Sequence, residues 1–181
     1  MMDIFETIKK VAGVHSPSGF EDKVADVLAE MAAPYADEVY KDVMGNLICL
    51  KKGKEGGKKV MVCAHMDSIG FIVTHIEDNG FVRFARLGGI GPTSVIGTPV
   101  IFENGTRGRV CKEDKADIKE LKLSSMYIDI GASSKEEALK YVKIADTAVY
   151  ATEAYRVGEN GIISPYMDDR ICCVAEMMAL Q

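Results

Sequence analysis

Hydrophobic spacing divides this chain into a helical start, a middle of short strand-like runs, and a helical, apolar end. Ile4, Ile8 and Val11 recur at helical spacing behind Asp3 and Glu6, a D-x-x-E capping box, so residues 4–12 are expected to form a helix that Gly13 ends. Ser18 and Glu21 form a second box. Val24, Leu28 and Met31 line one face of the helix it opens, and Pro34 stops that helix near Ala33. The segment between, His15-Ser-Pro-Ser-Gly-Phe20, is a loop by its Pro and Gly content. Residues 38–43 and 46–52 read as a hairpin turning at Met44-Gly45. Val60 to Ala64 is a short, β-branched apolar run behind a Gly/Lys-rich turn, and reads as a buried strand.

After Gly70 the texture changes. Residues 71–76, 80–87, 98–103, 107–112 and 126–130 are strand-like runs separated by Asn-Gly, Gly-Gly and Gly-Pro turns, the pattern of a small β-barrel or sandwich. Ser134 and Glu137 make a third capping box before a short helix over 135–141. Two more runs, 147–153 and 161–164, flank an expected turn at 156–160, and residues 113–122 read as a mobile polar loop. Residues 171–180 are again helical. The whole is an α/β chain: residues 1–70 and 164–181 form one layered domain, and residues 71–163 form a β-rich insertion.

Composition narrows the classes. Apolar residues at 48% and charged residues at 27% describe an ordinary globular protein of 181 residues. A net charge of −5 without a basic patch argues against nucleic acid as a partner. Apolar runs fall far short of a membrane span, and the first residues lack the basic region of a signal peptide. Five cysteines at irregular spacing suggest no disulfide framework, so they are expected to be reduced, mostly buried thiols in a cytoplasmic protein.

Chemistry concentrates at the end of the Val60–Ala64 run, in His65-Met-Asp67. Residues i and i+2 of an extended segment point the same way, so imidazole and carboxylate share one side. A metal-bound His usually passes its other ring N–H to a carboxylate, which sets the tautomer. The tripeptide alone leaves two readings open: a ligand with its orienting carboxylate, or a strand-end histidine beside a solvated aspartate. Asp168 and Asp169, ahead of the last helix, can equally be N-caps favoured by the helix dipole.

Five segments in one order carry a resemblance: Ser-Pro-Ser-Gly-Phe-Glu21, Asp42-x-x-Gly-Asn46, Ala-His-Met-Asp67-Ser-Ile-Gly-Phe71, Asp129-Ile-Gly-Ala-Ser-Ser-Lys-Glu-Glu-Ala138 and Met-Asp-Asp-Arg170. Together they resemble the glutamyl aminopeptidase and cellulase M-like family of metallopeptidases, which includes the tetrahedral aminopeptidases. The resemblance implies a zinc-peptidase-like α/β catalytic domain with an inserted β-barrel-like dimerisation domain at 71–163. It implies a metal-dependent aminopeptidase that removes N-terminal residues from peptides by metal-activated water, using two divalent ions, zinc or cobalt, in a homo-oligomer. His65 is then a ligand of one metal, Asp67 the carboxylate that orients it, and Asp168 the bridge between two ions, with a cis peptide between Asp168 and Asp169. Two metals about 3.5–4 Å apart can share such a bridge.

The chain also departs from the family. Ser68 stands where an acidic residue is common, which is expected to alter the rim of the site. The polar stretch 113–122 does not follow the family pattern. The general-base glutamate and further metal ligands that the resemblance implies have no match here, so the sequence reads as the N-terminal half of a family member. Two rival readings stand beside it: an oligomerisation fragment without chemistry, and a glycosidase, which would need paired carboxylates about 5–9.5 Å apart.

Overall fold

The computed structural model describes residues 3–114 and 117–181. They form a mixed α/β protein of two compact units, residues 1–68 with 153–181, and residues 69–152.

The first unit begins with helix α1 (Ile4–Ala12), where the Asp3 carboxylate accepts the Glu6 amide at 2.9 Å as the sequence pattern requires. Helix α2 (Asp22–Ala32) differs from expectation. Ser18 does not cap it; the Ser16 hydroxyl accepts the Val24 amide at 3.1 Å, and Glu21 folds back onto the Gly19 amide. Strands β1 (Glu38–Lys41) and β2 (Leu47–Leu50) pair as the expected hairpin. The Asp42 carboxylate closes its turn by accepting the Met44 and Asn46 amides, both at 2.9 Å.

The expected buried strand at Val60–Ala64 is a correction. No strand forms there, and Val60, Met61 and Val62 stand 82%, 88% and 71% exposed. The run has the β-branched composition of a strand, but a strand exists only against a partner, and none of the described segments pairs with it.

The barrel unit is built from β3 (Gly70–Ile76), β4 (Val82–Leu87), the one-turn helix α3 (Pro92–Val95), β5 (Pro99–Phe102), β6 (Arg107–Lys112), β7 (Met126–Asp129), helix α4 (Lys135–Ala138) and β8 (Thr147–Tyr150). Its strands close in the order β3-β4-β7-β6-β5-β8. Closure removes sheet edges. Phe71, Val73, Ile76, Val82, Val100, Phe102, Val110 and Ile128 fill the interior, each no more than 2% exposed. Gly108 on β6 lets the wall close, because a Cβ there would lie 2.6 Å from the Ile128 methyl. The Ser134–Glu137 box opens α4, a shorter helix than expected. Of the expected polar loop, residues 115 and 116 lie outside the described residues. Just after them come a 3₁₀ turn at Ile118–Glu120 and the buried Leu121.

The chain enters and leaves this barrel on neighbouring antiparallel strands, β3 and β8, which pair at Phe71↔Ala148. The insertion is shorter than the expected 71–163. Strands β9 (Tyr155–Val157) and β10 (Gly161–Ile163) form a hairpin of the first unit, with a tighter turn than 156–160. Helix α5 (Met167–Leu180) completes that unit, burying Cys173, Val174 and Met177 with Ile8, Val11, Val24 and Leu28. All five cysteines are free thiols, but only Cys173 is buried; Cys63 and Cys172 are exposed, against the expectation of mostly buried thiols. Among the described residues no helix is long and apolar enough to cross a membrane.

Candidate metal centre

His65, Asp67 and Asp168 meet in the first unit. The His65 ring lies between two carboxylates, with Nδ1 at 2.8 Å from Asp67 Oδ1 and Nε2 at 3.0 Å from Asp168 Oδ1. The His65 side chain is 57% exposed, Asp67 29% and Asp168 95%, so the Nε2 side is open to solvent.

Asp168 reaches the imidazole because α5 is broken at its start. Tyr166 takes a left-handed conformation at φ 59°, Asp168 is extended at φ −88°, ψ 107°, and the Asp168–Asp169 peptide is cis. Asp168 is therefore no simple N-cap of a regular helix. Asp169 turns instead toward the Cys172 thiol.

Arg170 holds these pieces in place, a part the sequence reading did not assign to it. It is 2% exposed and donates to five backbone carbonyls: Met66 at 3.0 Å, Val11 at 3.0 Å, Ala12 at 3.3 Å, Val14 at 2.8 Å and Ser16 at 3.2 Å. One guanidinium thus ties the end of α1, the loop after it, and the peptide between His65 and Asp67 to the start of α5. The available signal was an arginine directly after two aspartates. Its acceptors, however, are backbone atoms up to 159 residues away, which leave no mark in side-chain pattern. Ser68 also departs from expectation. It is 1% exposed and hydrogen-bonded to Ser16, so it lies beneath the site rather than on its rim.

Burial by itself would lower the His65 pKa, but the hydrogen bonds and charges of Asp67 and Asp168 outweigh it and raise the value above the ordinary 6.5. With the folded value above the unfolded one, the stabilisation is complete below 6.5 and is lost as pH rises through the raised value. An NMR titration of the metal-free chain is expected to place the His65 midpoint above 6.5, and Asp67→Asn should bring it down. A wild-type midpoint at or below 6.5 would contradict the geometry.

Both ring nitrogens face carboxylate oxygens, and the Nε2 side, toward Asp168, is where a cation could sit. Removing the Nε2 proton leaves a nitrogen lone pair facing a carboxylate oxygen 3.0 Å away. Ligands on one tetrahedral zinc, at bonds of about 2.0–2.1 Å, lie about 3.3 Å apart, so the pair fits one edge of such a site. The donor types suit zinc and its neighbours. The number of donors is smaller than a closed site needs: among the described residues, no group of three or more His, Cys, Asp or Glu side chains could hold a metal ion.

An α/β unit interrupted by a closed barrel, with an imidazole held between two carboxylates, defines the class: a two-unit α/β fold carrying a His–Asp–Asp cluster. The chain belongs to the M42 glutamyl aminopeptidase family, whose model matches residues 45–181. It is 45% identical over 180 residues to an Acetivibrio thermocellus protein provisionally named an aminopeptidase, covering 99% of this chain and 54% of that one. The structure of aminopeptidase APDkam598 from the archaeon Desulfurococcus kamchatkensis superimposes with a TM-score of 0.91 at 37% identity, over 98% of this chain and 51% of its own. The Pyrococcus horikoshii TET1 peptidase, described as assembling into a tetrahedron or a large octahedral shell, gives 0.86 at 31% identity, over 98% of this chain and 56% of its own. The chain thus spans about half the length of the relatives it matches.

Proposed function

We propose that this chain supplies one corner of the active site of a metal-dependent aminopeptidase, with His65 and Asp168 as metal ligands and Asp67 as the residue that orients His65. The observation that carries the proposal is the single imidazole gripped at both nitrogens, by Asp67 at 2.8 Å and Asp168 at 3.0 Å. Asp67 keeps the Nδ1 proton and so leaves the Nε2 lone pair for the cation. Asp168, extended and solvent-exposed, presents a second oxygen that can serve a second ion. When bound, zinc or cobalt supplies water activation and polarisation of the scissile carbonyl. Family membership and the aminopeptidase relatives support peptides as substrates. The TET1 relative supports homo-oligomeric assembly, in which the barrel is the natural dimerisation unit. The free thiols support a cytoplasmic setting.

The test is a titration of the 181-residue chain with Zn²⁺ or Co²⁺, beside His65→Ala, with N-terminal aminoacyl substrates and cellulosic oligosaccharides as reporters. Two side-chain donors are expected to give weak, saturable metal binding that His65→Ala abolishes, without steady turnover of either substrate class. Metal binding that ignores His65→Ala would sink the assignment. Turnover of oligosaccharides alone would favour the glycosidase.

A further inference from the structure

We propose that Ser18 is a positioning residue for His65, acting through Asp67. The inference rests on the reading of His65 as a metal ligand and gives a part to a motif residue to which the resemblance assigns none. Asp67 has two oxygens, and each is engaged. Oδ1 faces His65 Nδ1 at 2.8 Å, while Oδ2 accepts the Ser18 hydroxyl. The terminal torsion of an aspartate is broad and roughly two-fold, so a carboxylate gripped at one oxygen can still rock. Gripped at both, it presents a fixed acceptor to the ring. That acceptor decides which ring nitrogen keeps the proton and which is left for the cation.

Ser18 is itself held. Its amide donates to the Ser68 carbonyl at 3.1 Å, and the Ser68 amide donates to the Ser16 carbonyl at 3.0 Å. Pro17 and Ser68 thereby form an isolated parallel bridge, and the Ser16 carbonyl also receives Arg170 Nη2 at 3.2 Å. The chain then turns away through Gly19 at φ 86°. The hydroxyl is not consumed as a helix cap, because α2 starts four residues later and takes Ser16 for that purpose. The relay Ser18–Asp67–His65–Asp168 is therefore built on a short backbone zipper that Arg170 locks from beneath.

Loss of such an outer partner typically costs about 10–100-fold in metal affinity. The test compares Ser18→Thr with Ser18→Val in the full chain. The two variants have the same shape and differ only in the hydroxyl. Two readouts are followed: long-range proton–nitrogen NMR of the His65 ring in metal-free alkaline buffer, and the affinity for Zn²⁺. Wild type and Ser18→Thr are expected to show the Nδ1–H tautomer. Ser18→Val should show a mixture and bind Zn²⁺ about 10-fold more weakly, with an unchanged circular dichroism spectrum. A purely structural serine would leave the tautomer of Ser18→Val at wild type, and that result overturns the proposal. If Zn²⁺ fails to perturb His65 in wild type, the metal reading is the one that falls, while the tautomer comparison still decides the role of Ser18. If Ser18→Val does not fold, Ser18→Ala replaces it against the same two readouts.

Discussion

Replacing Arg170 with alanine is expected to lower the unfolding free energy by about 4 kcal/mol or more, among the largest effects of any single change in this chain. Hydrogen bonds to a charged group contribute about 1.5–3 kcal/mol each when broken singly, and five carbonyls here share one guanidinium. The change leaves those oxygens facing a cavity, in a place water reaches poorly because the side chain is only 2% exposed. Burial already holds the Arg170 pKa below its ordinary value, yet arginine stays charged throughout the accessible range, so the loss should not depend on mild changes of pH. Arg170→Lys should recover only part of it, since an ammonium offers three donors from one point against a planar fork of five. Urea unfolding followed by circular dichroism measures the effect. A shift within about 0.5 kcal/mol, the range of ordinary surface substitutions, would refute the account. The same experiment bears on function, because Arg170 grips the Met66 carbonyl between His65 and Asp67; the His65 ring signals should broaden or move in any Arg170 variant that still folds.

Phe71→Ala is expected to cost about 3–5 kcal/mol, the range for emptying a buried aromatic site. Phe71 is 1% exposed and sits edge-on to Phe84 at 5.0 Å and to Tyr150 at 5.7 Å. Its strand pairs with β4 on one side and β8 on the other, so the cavity would open where the barrel closes. Hydrogen exchange should show protection lost at amides of residues 69–152, and Phe71→Leu should restore most of it. Retained protection in Phe71→Ala would mean that the barrel does not depend on this aromatic group.

Much of the architecture was legible before any coordinates because it follows from neighbours in the chain. The Asp3–Glu6 and Ser134–Glu137 boxes mark helix starts through contacts three residues apart, and the Asp42 carboxylate closes its hairpin within four residues. Short runs with glycine turns at Gly80 and Gly105, both at positive φ, announced a small β-barrel or sandwich, and strand pairing made it a barrel. His65 and Asp67 could be paired from the sequence because they stand two positions apart, on the same side of an extended segment.

Only the tertiary structure decided the remainder, since those partners lie far along the chain. Ser18 looked like a cap, but its hydroxyl went to an aspartate 49 residues on, and Ser16 did the capping. Val60–Ala64 had the residues of a buried strand, yet strand formation depends on an edge supplied by another segment, and no described segment supplies one. Residues 161–164 read as one more strand of the insertion, and 156–160 as the turn before it, so the strand at Tyr155–Val157 was not expected. The barrel had already closed on itself at β8, so the two strands paired instead as a hairpin of the first unit. By itself the sequence determined the residue types of the His65–Asp67–Asp168 cluster and the local turns that carry them. Bringing Asp168 to within 3.0 Å of His65, across 103 residues, took the packing of α5 on α1 and α2 and the burial of Arg170 beneath both, which no local pattern encodes.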